Sequence, residues 1–337
     1  MNKKKDRIYM KKKYGSAEYF AIILCAIMGL SMIIYLCVNA KGGKESSISE
    51  ASDYDLIELF SSSSEEDYSE ENKNDDSGEG LPFYVVEISS ESVYKGDLIL
   101  VNKAHSYAFK EEAELFDVYD QKNGKYKLGT GNEKLLEKTI SAANDFLGDF
   151  NDITSLTNVT MVNGYISFDE QQKKYESYIK TVSAEDAQKW GVKAGASDHH
   201  TGLSFNLMLY PSNGKIGEGE YSWLTENACR YGFIIRYPED KSNLTSVLDN
   251  NHFRYVGVPH AEYIYQNNLT LEEYISLLGE TTYSNPLKIS SGNKEYIVYY
   301  SPADSSSSTT EVRIPEGYSY SCSGDNINGL IITAFLE

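Results

Sequence analysis

Hydrophobic and polar positions divide this chain into five consecutive stretches. The first 13 residues are basic, residues 19–38 carry no charged side chain, and residues 41–80 are mostly polar or acidic. Apolar runs return at residue 81, and after residue 282 only extended runs remain. The pattern predicts a basic cytoplasmic tail (1–18), a transmembrane anchor (19–38), an acidic disordered spacer (39–80), a folded domain (81–282) and a short C-terminal β appendage (283–337).

The folded part mixes helical and extended patterns. We expect helices where apolar residues recur at near-helical spacing, over 132–146, 169–181, 223–231, 259–267 and 271–278. Strands are expected at apolar runs over 83–88, 98–103, 203–210 and 233–237, with 296–300, 310–315 and 330–335 in the appendage. This mixture predicts an α+β fold, with a small antiparallel sheet, flanking helices and a C-terminal β appendage.

The uncharged run from Tyr19 to Val38 has about the 20 residues that a bilayer core requires. A secretory signal peptide is the alternative, since Val38-Asn39-Ala40 would suit cleavage, but its apolar region is normally only about 7–15 residues long. Because the basic residues come first, we expect a single-pass protein of the cell membrane with its C-terminal domain outside the cell. Cys37 fits a buried membrane cysteine better than a lipid attachment site.

The net charge limits the classes of binding partner, and the cysteine content limits the possible disulfides. Acidic residues outnumber basic ones by 50 to 31, and the formal net charge is -19. An anionic chain does not bind polyanions, which excludes nucleic acid as a partner. Cys229 and Cys322 are the cysteines beyond the membrane segment, and either one disulfide or two free thiols would suit them.

Metal-ligating residues concentrate in two segments. The chain has five histidines, of which His199 and His200 lie in the first segment and His252 and His260 in the second. Neutral imidazole is the commonest protein ligand for zinc. We expect His260, which follows Pro259, to cap a helix rather than bind metal. His199 and His252 are therefore the candidate ligands.

The two segments resemble a known family. Ser-x-His-x-x-Gly-x-Ser-x-Asn at 197–206, followed by Asp-x-x-His at 249–252, resembles the zinc D-alanyl-D-alanine carboxypeptidases of the VanY type, whose pattern reads S-x-H-x-x-G-x-A-x-D and then E-x-W-H. The likeness extends over about residues 95–280 and implies that 81–282 is a carboxypeptidase-like domain. It implies that zinc is bound by His199, Asn206 and His252 and that Asp249 is the general base. It also implies that Ser197, Tyr165 and Ile166 face the substrate.

Three of these positions differ from the family pattern. Asn206 replaces an aspartate, and a neutral amide binds zinc more weakly than a carboxylate. Asp249 replaces a glutamate and is one methylene shorter, which reduces its reach as a base. Ile166 replaces an arginine, which removes a cation from the place where substrate charge would be stabilised. We therefore expect zinc binding to be weakened or lost.

Three functions fit these residues. The first is a wall-facing zinc D-alanyl-D-alanine carboxypeptidase that acts on peptidoglycan stem peptides. The second is a catalytically impaired relative that binds stem peptides as a sensor or scaffold, which would explain the three altered positions together. A structural ectodomain without a site would require the whole motif to be coincidental.

Overall fold

The computed structural model describes residues 81–109, 114–212, 214–245, 247 and 249–336. Its strands are β1 (Phe83–Ser89), β2 (Phe116–Asp117), β3 (Lys127–Leu128), β4 (Lys134–Leu135), β5 (Val159–Val162), β6 (Ser204–Leu209), β7 (Phe233–Tyr237), β8 (Asp249–Tyr255), β9 (Leu287–Ser291), β10 (Lys294–Pro302), β11 (Thr309–Pro315), β12 (Ser319–Gly324) and β13 (Gly329–Phe335). Its helices are α1 (Val118–Gln121), α2 (Glu137–Thr154), α3 (Phe168–Tyr178), α4 (Ala184–Trp190), α5 (Ser222–Asn227), α6 (Ser242–Thr245), α7 (Val258–Gln266) and α8 (Leu271–Gly279).

Two sheets organise these elements. The central sheet has five strands in the order β3-β5-β6-β8-β7, and it is antiparallel except where β3 pairs with β5. The second sheet has four antiparallel strands in the order β12-β13-β10-β9. Two strand pairs, β1-β11 and β2-β4, complete the pairing. The predicted α+β fold is confirmed.

Helix α2 covers one face of the central sheet. Its apolar stripe, which includes Ile140, Phe146 and Phe150, packs against Phe205 of β6 and Phe253 of β8. Full burial of an aromatic side chain stabilises a fold by roughly 1.5–3 kcal/mol. This packing leaves the opposite face of β6 and β8 for polar residues, because side chains alternate along a strand.

A second core joins the two sheets. Ile264 of α7 and Leu278 of α8 share it with Ile234 of the central sheet and with Val298 and Ile331 of the C-terminal sheet. Strand β1, at the start of the described chain, pairs along its whole length with β11. The C-terminal strands therefore pack as part of the same body as the central sheet.

Local signals located several elements well. Helix α8 begins with the expected capping box, in which the Thr270 hydroxyl accepts from the Glu273 backbone N–H and the Glu273 carboxylate accepts from the Thr270 N–H. Helix α2 begins later than expected and runs on to Thr154, beyond the expected end at residue 146. Cys229 and Cys322 are both free thiols.

The strand predicted at 98–103 is wrong. Leu98 to Val101 are buried, but they form an irregular segment. The Ile99 carbonyl accepts from the Arg254 guanidinium at 3.0 Å, and the Val101 carbonyl accepts from Arg236 at 3.4 Å. Buried backbone carbonyls need partners, and here arginine side chains provide them in place of a neighbouring strand.

The cytoplasmic tail, transmembrane anchor and acidic spacer predicted for residues 1–80 lie outside the described residues. Within the ranges that the structure describes, no helix has both the length and the apolar character needed to span a bilayer.

Candidate functional site

The polar face of β6 and β8 builds the candidate site. In the antiparallel register Asn206 lies opposite His252, and Ser204 lies opposite Arg254. The intervening residue of β8, Phe253, points into the core under α2. Period-2 alternation thus places two of the predicted ligands side by side across neighbouring strands.

His199 reaches the same place from a short 3-10 turn, Asp198–Thr201, that leads into β6. Gly202 ends the turn with a φ of 68°, in the left-handed region that glycine adopts without strain. A Cβ on Gly202 would meet Leu115 Cδ2 at 2.7 Å. The glycine of the motif therefore allows the turn to pack closely, and this brings His199 over the sheet.

All four predicted metal and base positions meet on this face. The rings of His199 and His252 have centroids 4.5 Å apart at an interplanar angle of 64°. The Asn206 amide donates to Asp249 Oδ2 at 2.6 Å. The backbone N–H of Asn251 donates to Asp249 Oδ1 at 3.2 Å. Two imidazoles, an amide and a carboxylate thus form one compact cluster.

Behind the cluster lies a buried charge network that centres on Asp198. Arg254 forms a very short ion pair with Asp198, and Arg236 Nε lies 3.8 Å from the same oxygen. Arg236 also forms an ion pair with Glu272 at 2.7 Å. Burial by itself would raise the pKa of Asp198, but Arg254, the hydrogen bond with His252 and Arg236 together hold that pKa well below its ordinary value. Asp198 is therefore an ionised carboxylate inside the protein.

This carboxylate sets the orientation of His252. Asp198 Oδ2 lies 3.2 Å from His252 Nε2, and an ionised carboxylate can only accept a hydrogen bond. Nε2 therefore carries a proton in this contact, and Nδ1 is the nitrogen that could offer a lone pair to a metal. Carboxylates that fix a ligating imidazole in this way are common partners of metal-binding histidines.

Burial favours the neutral form of His199. Burial, followed by the neighbouring His252 and Lys174, holds the pKa of His199 well below its ordinary value. Its Nδ1 is buried, and no hydrogen-bond partner for it lies among the residues described. Buried polar atoms are normally satisfied, so this nitrogen marks a place prepared for a ligand or for water.

His200 holds the backbone instead. Gly195 N–H donates to His200 Nε2 at 3.0 Å, and His200 Nδ1–H donates to the Ile166 carbonyl at 2.7 Å. The Phe168 ring stacks on the imidazole with centroids 4.2 Å apart. Because both nitrogens are used, His200 is a structural residue that ties the Ile166 segment to the turn.

The three predicted substrate-facing residues lie in or next to segments that are bonded to the turn that carries His199. Ile166 is buried, and its backbone N–H donates to the His199 carbonyl at 3.3 Å. Ser197 is buried at the start of the 3-10 turn. Tyr165 is half-buried, and its N–H donates to the Lys134 carbonyl at 2.7 Å. The backbone of this segment is thus attached to the turn that carries His199.

His260 does not cap a helix, which corrects the expectation from sequence. It lies inside α7, where Nδ1 is 2.8 Å from Tyr274 Oη and Nε2 is 3.1 Å from Thr333 Oγ1. It is buried, with partners on helix α8 and strand β13, and belongs to the core rather than to the cluster of His199, Asn206, His252 and Asp249.

The chemistry of the cluster suits a weak metal site. Across the described ranges, no three His, Cys, Asp or Glu residues are grouped so as to hold a metal ion. The third position of the cluster is the amide Asn206. Two neutral imidazoles and an amide oxygen are acceptable zinc donors, but an amide contributes no charge. The residues therefore fit zinc with reduced affinity.

Sequence reasoning missed Asp198 and Arg236 as parts of the site. The signal that was available for Asp198 was a carboxylate directly before the first candidate ligand. Charged residues are rarely fully buried unless they are paired, and nothing in the local pattern indicated which partners would surround this one.

The comparisons with known proteins agree with this geometry. The sequence profile of the VanY family, D-alanyl-D-alanine carboxypeptidase, matches residues 132–258. A D-alanyl-D-alanine carboxypeptidase of Enterococcus faecium is 31% identical over 257 residues, which cover 74% of this chain and 78% of that protein. One of Enterococcus faecalis is 34% identical over 126 residues, which cover 34% of this chain and 47% of that protein.

A solved structure is similar over most of the described chain. The crystal structure of the vancomycin-resistance D,D-dipeptidase VanXYg, in complex with a D-Ala-D-Ala phosphinate analogue, superposes with a TM-score of 0.65 at 26% identity. The match covers 75% of this chain and 99% of that one. On its motif, its cluster and these likenesses, the chain belongs to the VanY family of D-alanyl-D-alanine carboxypeptidases.

Proposed function

We propose that this protein is a membrane-anchored, wall-facing zinc D-alanyl-D-alanine carboxypeptidase that acts on peptidoglycan stem peptides. The observation that carries the proposal is the convergence of His199, Asn206, His252 and Asp249 on one face of the central sheet. Relatives that are D-alanyl-D-alanine carboxypeptidases support the reaction class. The partner it implies is a stem peptide that ends in D-Ala.

His199, His252 and the amide oxygen of Asn206 are the groups that would hold zinc. When bound, zinc would supply Lewis-acid polarisation of the scissile carbonyl and acidification of water. Asp198 keeps the proton of His252 on Nε2, so that Nδ1 remains the donor nitrogen. The neutral state of His199 serves the same purpose, because a protonated imidazole has no lone pair to donate.

Asp249 is the group that would accept a proton during hydrolysis. Its carboxylate accepts hydrogen bonds from two N–H donors, Asn206 Nδ2 and the Asn251 backbone. A carboxylate has about four lone-pair sites, so these two contacts orient it and leave capacity for a proton. Its contact with Asn206 holds it beside the predicted ligands, which offsets the shorter side chain.

The impaired relative that binds without turnover remains the second candidate. The observation that favours it is that Asn206 and Asp249, two of the altered positions, hydrogen-bond to each other at 2.6 Å. An amide and a carboxylate are mutually satisfied in this way without a metal. Ile166, the third altered position, is buried and contributes no charge.

Release of D-Ala separates the two candidates. The purified full-length protein would be incubated with zinc and a pentapeptide ending in D-Ala-D-Ala, and free D-Ala would be measured by amino-acid analysis. Zinc-dependent release that is lost in His252→Ala supports the enzyme. If release occurs only after the combined change Ile166→Arg, Asn206→Asp and Asp249→Glu, the binding protein is the better description.

The membrane location is part of the proposal and rests on the basic tail and the uncharged run of residues 19–38. Protease added to intact cells should cleave within the acidic spacer and release the folded domain into the medium. Immunoblotting of cells and medium would show it. Protection of the spacer in intact cells, with cleavage only after lysis, would contradict the orientation.

A further inference from the structure

The site lacks the cation that the family pattern places at position 166, and the structure offers a different one nearby. The backbone of Ile166 is held in place by two hydrogen bonds to the turn. Its N–H donates to the His199 carbonyl, and its carbonyl accepts from His200 Nδ1. A substrate that ends in D-Ala carries a negatively charged terminal carboxylate. Such a group needs a hydrogen-bond donor or a cation once it leaves water.

Lys174 is placed to supply it. It lies on α3, the helix that directly follows the Tyr165-Ile166 segment. Its ammonium reaches back to donate to Asn163 Oδ1 at 3.5 Å. Asn163 follows Val162, and Val162 pairs with Asn206 in the central sheet. The Lys174 ammonium therefore lies next to the end of β5, the strand that pairs with β6 at Asn206.

The charge of Lys174 is available to a ligand. Its hydrogen-bond acceptor, the Asn163 side-chain oxygen, is neutral. Glu170 precedes Lys174 by one helical turn, but its carboxylate accepts from the Ser167 N–H at 3.0 Å and from the Ser167 hydroxyl at 2.8 Å. The capping box of α3 therefore occupies the nearest acid, and the ammonium keeps donors free, since it has three.

The surroundings of Lys174 agree with this placement. Desolvation by the surrounding protein lowers the pKa of Lys174, with Glu170 acting in the opposite direction. The side chain as a whole is exposed, so a peptide can approach it from solvent.

We propose that Lys174 binds the terminal carboxylate of the peptide substrate, in place of the guanidinium that is missing at position 166. This inference rests on the proposed function, because it assigns a specificity residue to that same site. It predicts that the protein distinguishes a peptide with a free C-terminal carboxylate from the same peptide ending in an amide.

The test measures that distinction. Full-length protein stripped of metal with EDTA, which prevents turnover, would be titrated calorimetrically with a D-Ala-D-Ala tripeptide and with its C-terminal amide. Wild type should bind the free acid about 10- to 100-fold more tightly, the range expected for one charge-assisted hydrogen bond. Lys174→Met should reduce this ratio to within about threefold, because it removes that bond.

Two matched variants complete the design. Lys173→Met removes the adjacent exposed lysine of α3 and should leave the ratio unchanged. Lys174→Arg should restore most of the preference, because it keeps the charge. Raising the salt concentration should weaken the preference of wild type and leave Lys174→Met unaffected, since an exposed cation is screened.

The outcomes separate this inference from the proposed function. If Lys174→Met keeps the full preference of wild type, Lys174 is not the carboxylate-binding group, and the carboxypeptidase proposal stands. If wild type binds neither peptide and releases no D-Ala with zinc, the proposed function fails and this inference fails with it. Circular dichroism would establish that each variant is folded.

Discussion

Two buried histidines of the same chain segment, His252 and His260, lie in regions of opposite character. The partner of His252 is an ionised carboxylate, Asp198, itself paired with Arg254. The partners of His260 are two neutral hydroxyls, those of Tyr274 and Thr333. The His252 imidazole faces a second histidine, His199, and the His260 imidazole is buried with partners on helix α8 and strand β13.

The difference shows what a buried histidine needs in order to serve chemistry. Burial alone lowers the pKa of His260 to about 3, and hydroxyl partners use both of its nitrogens. His252 has one nitrogen committed to Asp198, which leaves the other as a donor. The charged network behind the site thus orients His252 for the metal-binding role that we propose, whereas the hydroxyl partners of His260 hold it as a packing residue.

The largest effect should come from removing the charge of Asp198, which lies at the centre of the buried ion-pair network. Asp198→Asn leaves Arg254 buried without its counter-charge, which typically costs about 3–5 kcal/mol. It also releases His252, so zinc affinity should fall by about 10- to 100-fold. Guanidinium unfolding and calorimetric zinc titration would measure the two effects. Phe253→Leu, on the opposite face of β8, should lower stability and leave zinc binding intact.

The stability contributed by His260 and its neutral partners should depend on pH. The folded protein keeps His260 neutral down to about pH 3, while an unfolded histidine binds a proton below about pH 6.5. The stability that His260 contributes is complete above pH 6.5 and is lost as the pH falls towards 3, at about 1.4 kcal/mol per pH unit. Between pH 6.5 and 5 the loss is about 2 kcal/mol.

His260→Gln isolates that contribution, because glutamine does not titrate and can still hydrogen-bond to both hydroxyls. Its free energy of unfolding should fall less steeply between pH 6.5 and 5 than that of wild type, measured by guanidinium unfolding at each pH. Equal slopes for the two proteins would show that His260 is already solvated or charged in the fold.

A smaller effect, in the opposite direction, is expected for zinc affinity when Asn206 is replaced. Asn206→Asp restores an anionic ligand, and about a tenfold gain in zinc affinity, or about 1.4 kcal/mol, is expected. Without zinc the new carboxylate would repel Asp249, which now accepts from the amide at 2.6 Å. The variant should therefore be less stable than wild type when metal-free and gain more stability from zinc. Thermal unfolding with zinc and with EDTA would show whether Asn206 faces the metal.

The smallest effect is expected from the N-cap of α8, the helix that positions Tyr274 against His260. Thr270→Ala removes the cap of α8, the helix that carries Tyr274, and should cost about 1 kcal/mol. Zinc affinity should not change, since the cap lies outside the cluster. Thr270→Ser keeps the hydroxyl and should retain most of the stability in the same unfolding assay.

Local patterns in the sequence determined much of this protein. The alternation in β6, with Phe205 on the face under α2 and Asn206 on the opposite, polar face, is a direct consequence of strand geometry. The capping box of α8 involves only neighbours in the chain, so Thr270 and Glu273 identify it without tertiary information. The resemblance to the VanY pattern indicated His199, Asn206 and His252, and the register of β6 and β8 places Asn206 opposite His252.

Tertiary structure alone decided which distant groups meet. The run at 98–101 has the composition of a strand, but its Ile99 and Val101 carbonyls accept hydrogen bonds from Arg254 and Arg236 side chains. Asp198 shows its role only when two arginines and a histidine from β7 and β8 surround it. Lys174 becomes a candidate substrate residue only because its ammonium contacts Asn163, next to the residue of β5 that pairs with Asn206. Such contacts join residues far apart in sequence, and short-range hydrophobic periodicity carries no information about them.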